Sequence, residues 1–271
     1  MTSGHRTETA GRSPRKAGPE PAVRVRDLTK EYPGDIRALE SISFDMPKGE
    51  LTSIIGPSGC GKTTTLKIIA GLIEPTSGEV VLNGSPVHGP GPERAFVFQD
   101  FALMPWATVL RNVAFGLELR GVSKKEREAI AREYIEKMNL AGFEDAYPHQ
   151  LSGGMRQRVG LARAMAVDAD ILLMDEPFAS VDEQIRRKFQ EDLLHLLRAE
   201  EKSVVFVTHS IEEAVYVSDQ IVILTRGPAR VSNVVRPGID HTGDSQEIRR
   251  SSAYLDCVEG IWVELRKYLE E

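Results

Sequence analysis

From Val23 the chain alternates apolar and polar residues in short runs, Val23-Arg24-Val25 and then Ile42-Ser43-Phe44-Asp45-Met46, which predicts strands with one buried face. Residues 51–55 run into a glycine-rich stretch at 56–61, and residues 63–72 then carry helical spacing ended by Gly71 or Pro75. The order is strand, loop, helix. Residues 80–82 and 95–98 read as further strands, whereas 109–163 reads as almost wholly helical. Within that stretch Ser123-Lys124-Lys125-Glu126 is a capping box opening a helix with Ile130, Tyr134 and Met138 on one face, closed by Gly142. Strands return at 171–174, 204–207 and 220–224, with a helix over 182–198 between the first two. A Gly227-Pro228 turn precedes a closing hairpin strand at 231–235, and 254–269 forms a last amphipathic helix. Alternating strands and helices predict an α/β fold with a mainly parallel sheet covered by helices. Residues 1–21 hold almost nothing apolar and are expected to be a disordered tail.

Composition narrows the function classes. With 34 Lys plus Arg against 40 Asp plus Glu, the net charge of −6 argues against holding nucleic acid by bulk charge. No apolar stretch approaches the roughly 18 residues needed to cross a bilayer, and the first residues lack the apolar core of a secretory signal. A cytoplasmic location is expected. Cys60 and Cys257 form no C-x-x-C, so neither a disulfide framework nor a zinc site is readable.

The chemistry begins at Gly56-Pro57-Ser58-Gly59-Cys60-Gly61-Lys62-Thr63, which fits G-x-x-x-x-G-K-[ST] in the strand-to-helix context that phosphate binding requires. Glycines let successive backbone N–H groups and a helix N-terminus face a polyphosphate. Lys62 would then bridge the β- and γ-phosphates, the Thr63 hydroxyl would hold Mg²⁺, and Thr64 follows in the same wall. A merely tight glycine turn is the competing account, and the flanking strand and helix speak against it. Further on, the apolar run at 171–174 ends in Asp175 and Glu176. Asp175 would sit at the sheet's C-terminal edge within reach of the Mg²⁺ shell, and Glu176 is placed to take a proton from attacking water.

Leu151-Ser152-Gly153-Gly154-Met155-Arg156-Gln157-Arg158, lying between the helical stretch and the acidic strand, resembles the signature element of the ATP-binding cassette family. The resemblance runs from about residue 23 to 254. It implies a P-loop NTPase fold: a mainly parallel sheet with an antiparallel β subdomain and an inserted helical subdomain at about 100–164, within an ATPase domain over 22–254 and a C-terminal helix over 255–271. It also implies that Ser152, Gly153 and Gly154 face ATP held by a second subunit, most simply in a homodimer. By the same resemblance Tyr32 stacks on adenine, Gln99 senses Mg²⁺ and the lytic water, and His209 contacts the γ-phosphate. Ala179-Ser180-Val181-Asp182 would cross the dimer interface. Two departures stand out: Ser210 occurs where many relatives have aspartate, and Val181 replaces a common leucine. Cys60 fills a variable position, either as filler or as a thiol acidified by the helix end and Lys62.

The run Phe101-Ala102-Leu103-Met104-Pro105-Trp106 is unusually apolar for a segment that should be exposed. In importers of this family such a region receives a coupling helix from a membrane permease, so docking is expected near Gln99–Trp106, with Trp106 packed inside the helical part as the alternative. The Leu-Met-Pro-Trp-Ala-Thr-Val run and the Ser-Ile-Glu-Glu-Ala-Val after His209 resemble the ATPases of nitrate, sulfonate and taurine importers. A solute-binding protein would then be an indirect partner, and the chain would lie peripherally on the inner face of the membrane. An exporter ATPase, or a soluble cassette acting on DNA or ribosomes, is the rival. The interval between Lys62 and Asp175 leaves no room for a long coiled-coil insert, and there is only one phosphate loop.

Overall fold

The computed structural model describes residues 20–178, 183–241 and 243–268. Strands β1 (Val23–Tyr32) and β2 (Ile36–Met46) pair antiparallel and are longer than their alternation suggests. The reason is a bulge. Register shifts follow Val25, and Asp27 and Ser41 adopt left-handed backbone opposite one another, the Ser41 hydroxyl donating to Asp27 Oδ1 at 2.9 Å. The extra residue breaks the period of two, so the pattern reads as strand only on either side of it. A third strand, β4 (Ser77–Leu82), pairs with β1, and the two-residue β5 (Ser85–Pro86) ends a sheet ordered β2-β1-β4-β5.

The second sheet is ordered β10-β9-β3-β8-β7-β6. Its strands β3 (Leu51–Ile55), β6 (Arg94–Val97), β7 (Ile171–Asp175), β8 (Ser203–Val207) and β9 (Gln220–Leu224) are parallel, and β10 (Val231–Val235) closes it antiparallel to β9 as the hairpin expectation had it. Every residue of β3, β7, β8 and β9 is buried, which explains why β7, β8 and β9 read as largely apolar runs and not as alternations; β3 buries Thr52 and Ser53 among its apolar residues.

Successive residues of these strands feed two different cores. Ile54, Leu173, Val205 and Val222 join Leu66, Ile68 and Ile69 of helix α1 (Lys62–Ile69) and the buried face of the antiparallel sheet. Ile55, Met174, Phe206 and Ile223 face the helical side instead. There the expected continuous helical stretch resolves into α2 (Val109–Leu119), α3 (Lys124–Lys137) and α4 (Gly153–Ala166). Ser123 caps α3 as read, but the helix stops before Gly142 because Asn139 takes the left-handed turn at φ 54°. Helix α1 likewise ends short, with Gly71 left-handed beyond it. Helix α5 (Glu183–Ala199) precedes β8. Two helices escaped the periodicity reading because they are only one to two turns long: α6 (Ile211–Val217) and α7 (Ser245–Arg250). The last helix, α8 (Ser252–Arg266), starts earlier than expected, at the Ser251 cap.

The stretch before α2 is shaped by one buried amide. Asn112, with no exposed surface, accepts from Met104 N at 2.9 Å and donates to Met104 O, Ala107 O and Thr108 O at 3.2, 3.0 and 3.0 Å. Such a side chain satisfies backbone groups that no helix or sheet reaches. Asn112→Ala should therefore lower the unfolding free energy by about 2 kcal/mol or more, seen as a fall in thermal midpoint of about 4 °C or more. An unchanged midpoint would show that water replaces the amide without penalty.

Candidate functional site

Four neighbouring parallel strands deliver their C-terminal ends to one edge, and the motif residues follow those ends. β3 leads into the phosphate loop, β8 into Thr208 and His209, β7 ends at Asp175, and Gln99 lies just beyond β6. At Gly61 the backbone takes φ 107°, and an added Cβ would lie 2.6 Å from Leu39 Cδ2, so the chain has no room there for a side chain. Gly61 supplies no side-chain cap to α1, which leaves the first helical N–H groups for an anion. The Lys62 ammonium donates to Gly56 O at 2.9 Å and Pro57 O at 3.0 Å and so lies over the loop. Ser58 and Gly59 form the exposed tip.

Thr63 Oγ1 donates to Asp175 Oδ1 at 3.0 Å. Burial pushes the Asp175 carboxyl above its ordinary value, the Thr63 hydrogen bond pulls it back, and the charge of Glu176 raises it again. A cation beside Asp175 would relieve that burial penalty. Among the described residues no three His, Cys, Asp or Glu gather as a metal cage. One buried carboxylate and one hydroxyl, with phosphate oxygens completing the shell, is the pattern Mg²⁺ tolerates, so Thr63 and Asp175 fit the ion.

Glu176 sits at φ 46°, a left-handed conformation that carries strain of about 1–3 kcal/mol for a residue of this kind and is pinned by Glu176 N donating to Val207 O at 2.9 Å. The turn brings its carboxylate to an amide and an imidazole. Gln99 Nε2 approaches Glu176 Oε2 at 3.3 Å and His209 Nδ1 approaches the same oxygen at 3.4 Å. These are long contacts of the sort that tighten around substrate. Thr208 and Ser210 aim the histidine: the buried Thr208 hydroxyl donates to Glu213 Oε2 at 2.6 Å, and Ser210 caps α6 through Glu213 N. Serine and aspartate are both good caps, which explains why the departure at Ser210 is tolerated.

The remaining expected residues are spread more widely. Tyr32 is half-exposed, its hydroxyl 3.5 Å from Thr64 Oγ1, which places an aromatic ring at the rim of the loop. Ser152 caps α4 through Met155 N and is exposed, followed by Gly153 and Gly154. Among the described residues no hydrogen bond joins Ser152 to the phosphate loop. The segment 179–182 lies outside the described residues. Trp106 is 74% exposed, which removes the alternative that it packs inside the helical layer. The acidified-thiol idea for Cys60 is also overturned: the side chain is buried against the loop, and burial raises its pKa more than Lys62 lowers it. Sequence reading missed Asn112 and Glu213. Asn112 carried a signal, being a polar residue amid the apolar positions of α2.

Fold and site together define a nucleotide-binding cassette of the P-loop class. Residues 39–179 match the family described as ABC transporter. An uncharacterized ABC transporter ATP-binding protein of Methanocaldococcus jannaschii is 51% identical over 229 residues, spanning 83% of this chain and 86% of that one. A taurine import ATP-binding protein of Pseudomonas syringae pv. tomato is 48% identical over 211 residues, spanning 78% and 81%. Among solved structures, a dimeric ATP-binding cassette in a post-hydrolysis state with ADP and phosphate superposes with a TM-score of 0.72 at 34% identity, covering 79% of this chain and 98% of that one. The chain belongs to the ABC transporter family, as one of its ATP-hydrolysing subunits.

Because a buried thiol with a raised pKa offers almost no thiolate, alkylation of Cys60 in the folded protein at pH 8 should run about a hundredfold or more slower than in the unfolded chain. Peroxide should then affect Cys60→Ser and the natural protein alike. Fast labelling of Cys60, read by peptide mass spectrometry, would overturn this.

Proposed function

We propose that this chain is the ATPase of a membrane importer for a small solute such as taurine, another sulfonate or nitrate. Two copies would close around two ATP molecules on the inner face of the membrane. No helix among the described residues is long and apolar enough to cross a bilayer. In this reading a separate permease carries the solute. The ATPase reading is carried by one observation: Gln99 and His209 converge on Glu176 Oε2 beside the Thr63–Asp175 pair.

In this reading Tyr32 stacks on adenine, and the phosphates lie against Gly56, Pro57, Ser58, Gly59, Cys60, Gly61, Lys62, Thr63 and Thr64. Lys62 exchanges its two carbonyl partners for β- and γ-phosphate oxygens. Thr63, Asp175 and Gln99 hold Mg²⁺, which when bound neutralises charge on the phosphates. Glu176 accepts a proton from water as the water oxygen bonds to the γ-phosphorus and ADP leaves. His209 orients the water and meets the γ-phosphate. Ser152, Gly153 and Gly154 of the second copy close the site through the exposed N-terminus of α4.

Import is supported by the similarity to taurine import ATP-binding proteins and by the exposed indole of Trp106 in a stretch that carries the Gln99 turn. An aromatic anchor of this kind suits a short helix from a permease, and the solute-binding protein would act through that permease without touching this chain.

Glu176→Gln should slow hydrolysis by about 10²-fold or more while ATP stays bound and the dimer closed, as measured by phosphate release and size-exclusion chromatography. Turnover at the natural rate would remove Glu176 as the base. Trp106→Ala should weaken capture of the permease by about tenfold or more. Co-purification at natural strength would move the docking surface elsewhere, and ATPase stimulation by taurine in the reconstituted complex tests the solute class.

A further inference from the structure

The stretch between Gln99 and α2 contains two consecutive residues in left-handed backbone, Phe101 at φ 62° and Ala102 at φ 42°, where no glycine eases the strain. Something must hold them. Their carbonyls both accept from one side chain: Arg163 Nη2 donates to Phe101 O at 2.6 Å and Nη1 to Ala102 O at 2.8 Å. Arg163 belongs to α4, the helix that Ser152 opens. The Phe101 side chain is buried on the same helix, where Gly160 permits the approach, since a Cβ added to Gly160 would lie 3.2 Å from Phe101 Cβ. At the far end Asn112 grips Met104, Ala107 and Thr108, so the exposed Pro105–Trp106 tip is suspended between two fastened points.

We propose that Arg163 is a positioning residue that clamps the left-handed turn at 101–102 to α4, so that the Gln99 turn, the Trp106 tip and the Ser152 end of the helix move as one body. The planar fork gives each of the two carbonyls its own Nη–H, whereas a lysine at this position would have to serve both from a single nitrogen on a differently shaped stem. A push on the tip is then delivered to the Glu176–Gln99 contact and to the surface that meets the second copy, instead of being absorbed by a soft loop. The proposal rests on reading Gln99 as part of the hydrolytic site.

The test uses the full chain in complex with its permease. Arg163→Lys should lower kcat by about tenfold or more while leaving the KM for ATP within about twofold, because Arg163 makes no hydrogen bond to Tyr32 or the phosphate loop that hold the nucleotide within the same copy. Gln99→Ala and the Gln99→Ala/Arg163→Lys double variant complete a cycle. If Arg163 acts through Gln99, the double variant should be no slower than Gln99→Ala alone, whereas a merely structural role gives multiplied losses. Natural turnover in Arg163→Lys, or multiplied losses, would overturn the clamp. Natural turnover in Gln99→Ala would instead overturn the reading of the site. Should Arg163→Lys yield no folded protein, adding Ala102→Asn, which favours left-handed backbone, is expected to restore folding and part of the turnover. Failure to do so also overturns the proposal.

Discussion

The parallel pairing of β6, β7, β8 and β3 is the constraint on which the rest of this molecule depends. Parallel strands point their C-terminal ends the same way, so one sheet edge receives the phosphate loop, the Asp175–Glu176 pair, His209 and Gln99 from four places far apart in the chain. Antiparallel pairing of any neighbour would send one of these groups to the opposite edge. Burial favours the pairing, because the backbone groups of strands covered on both faces find partners only inside the sheet.

A rigid edge also lets the chain hold conformations it would otherwise avoid. Glu176, Phe101 and Ala102 are all left-handed without being glycine, and each is tied down by a hydrogen bond to a neighbouring element. Glu176 is held by β8, and the other two by α4. Strain of this kind persists only where the surroundings over-determine it, and here it falls at the carboxylate proposed as base and at the turn beside Gln99. The same logic accounts for Thr208: buried beneath His209, it ties the end of β8 to α6 through Glu213, so the exposed imidazole stands on a fixed base.

Much of this was legible in the residues themselves. Apolar runs located β7, β8 and β9, which are buried along their whole length, whereas the partly exposed β10 falls where the Gly227-Pro228 turn put it. The phosphate loop was legible because its chemistry permits few residue types. What escaped reading was set by tertiary contact. The bulge at Asp27 and Ser41 hides in a polar stretch, and Asn139 ends α3 although Gly142 is the more obvious stop. For Cys60 the neighbours, Lys62 and a helix end, left filler and an acidified thiol both open; burial decides for filler, and burial is not visible in a local window. The roles of Asn112 and Arg163 depend on carbonyls brought near by the fold, for which no spacing rule exists.

The arrangement also explains why one copy should be insufficient for hydrolysis. Within the chain, Lys62 has two carbonyls to satisfy it, and the Ser152 hydroxyl is occupied with its own helix cap. Both are therefore stable groups at rest and carry no penalty for waiting. On the proposed reading a triphosphate would displace the carbonyls from Lys62, because charge against charge outweighs charge against dipole when water is kept away. With only the loop and the rim at Tyr32 around it, the outer side of that phosphate would face solvent, where screening weakens every such contact. Closing the outer side with the free N–H groups at the start of α4 from a second copy would exclude the water and restore the strength of the lysine contact. On this view the second copy contributes desolvation as much as it contributes donors, and the exposed Ser152–Gly154 edge is the surface through which nucleotide binding becomes movement.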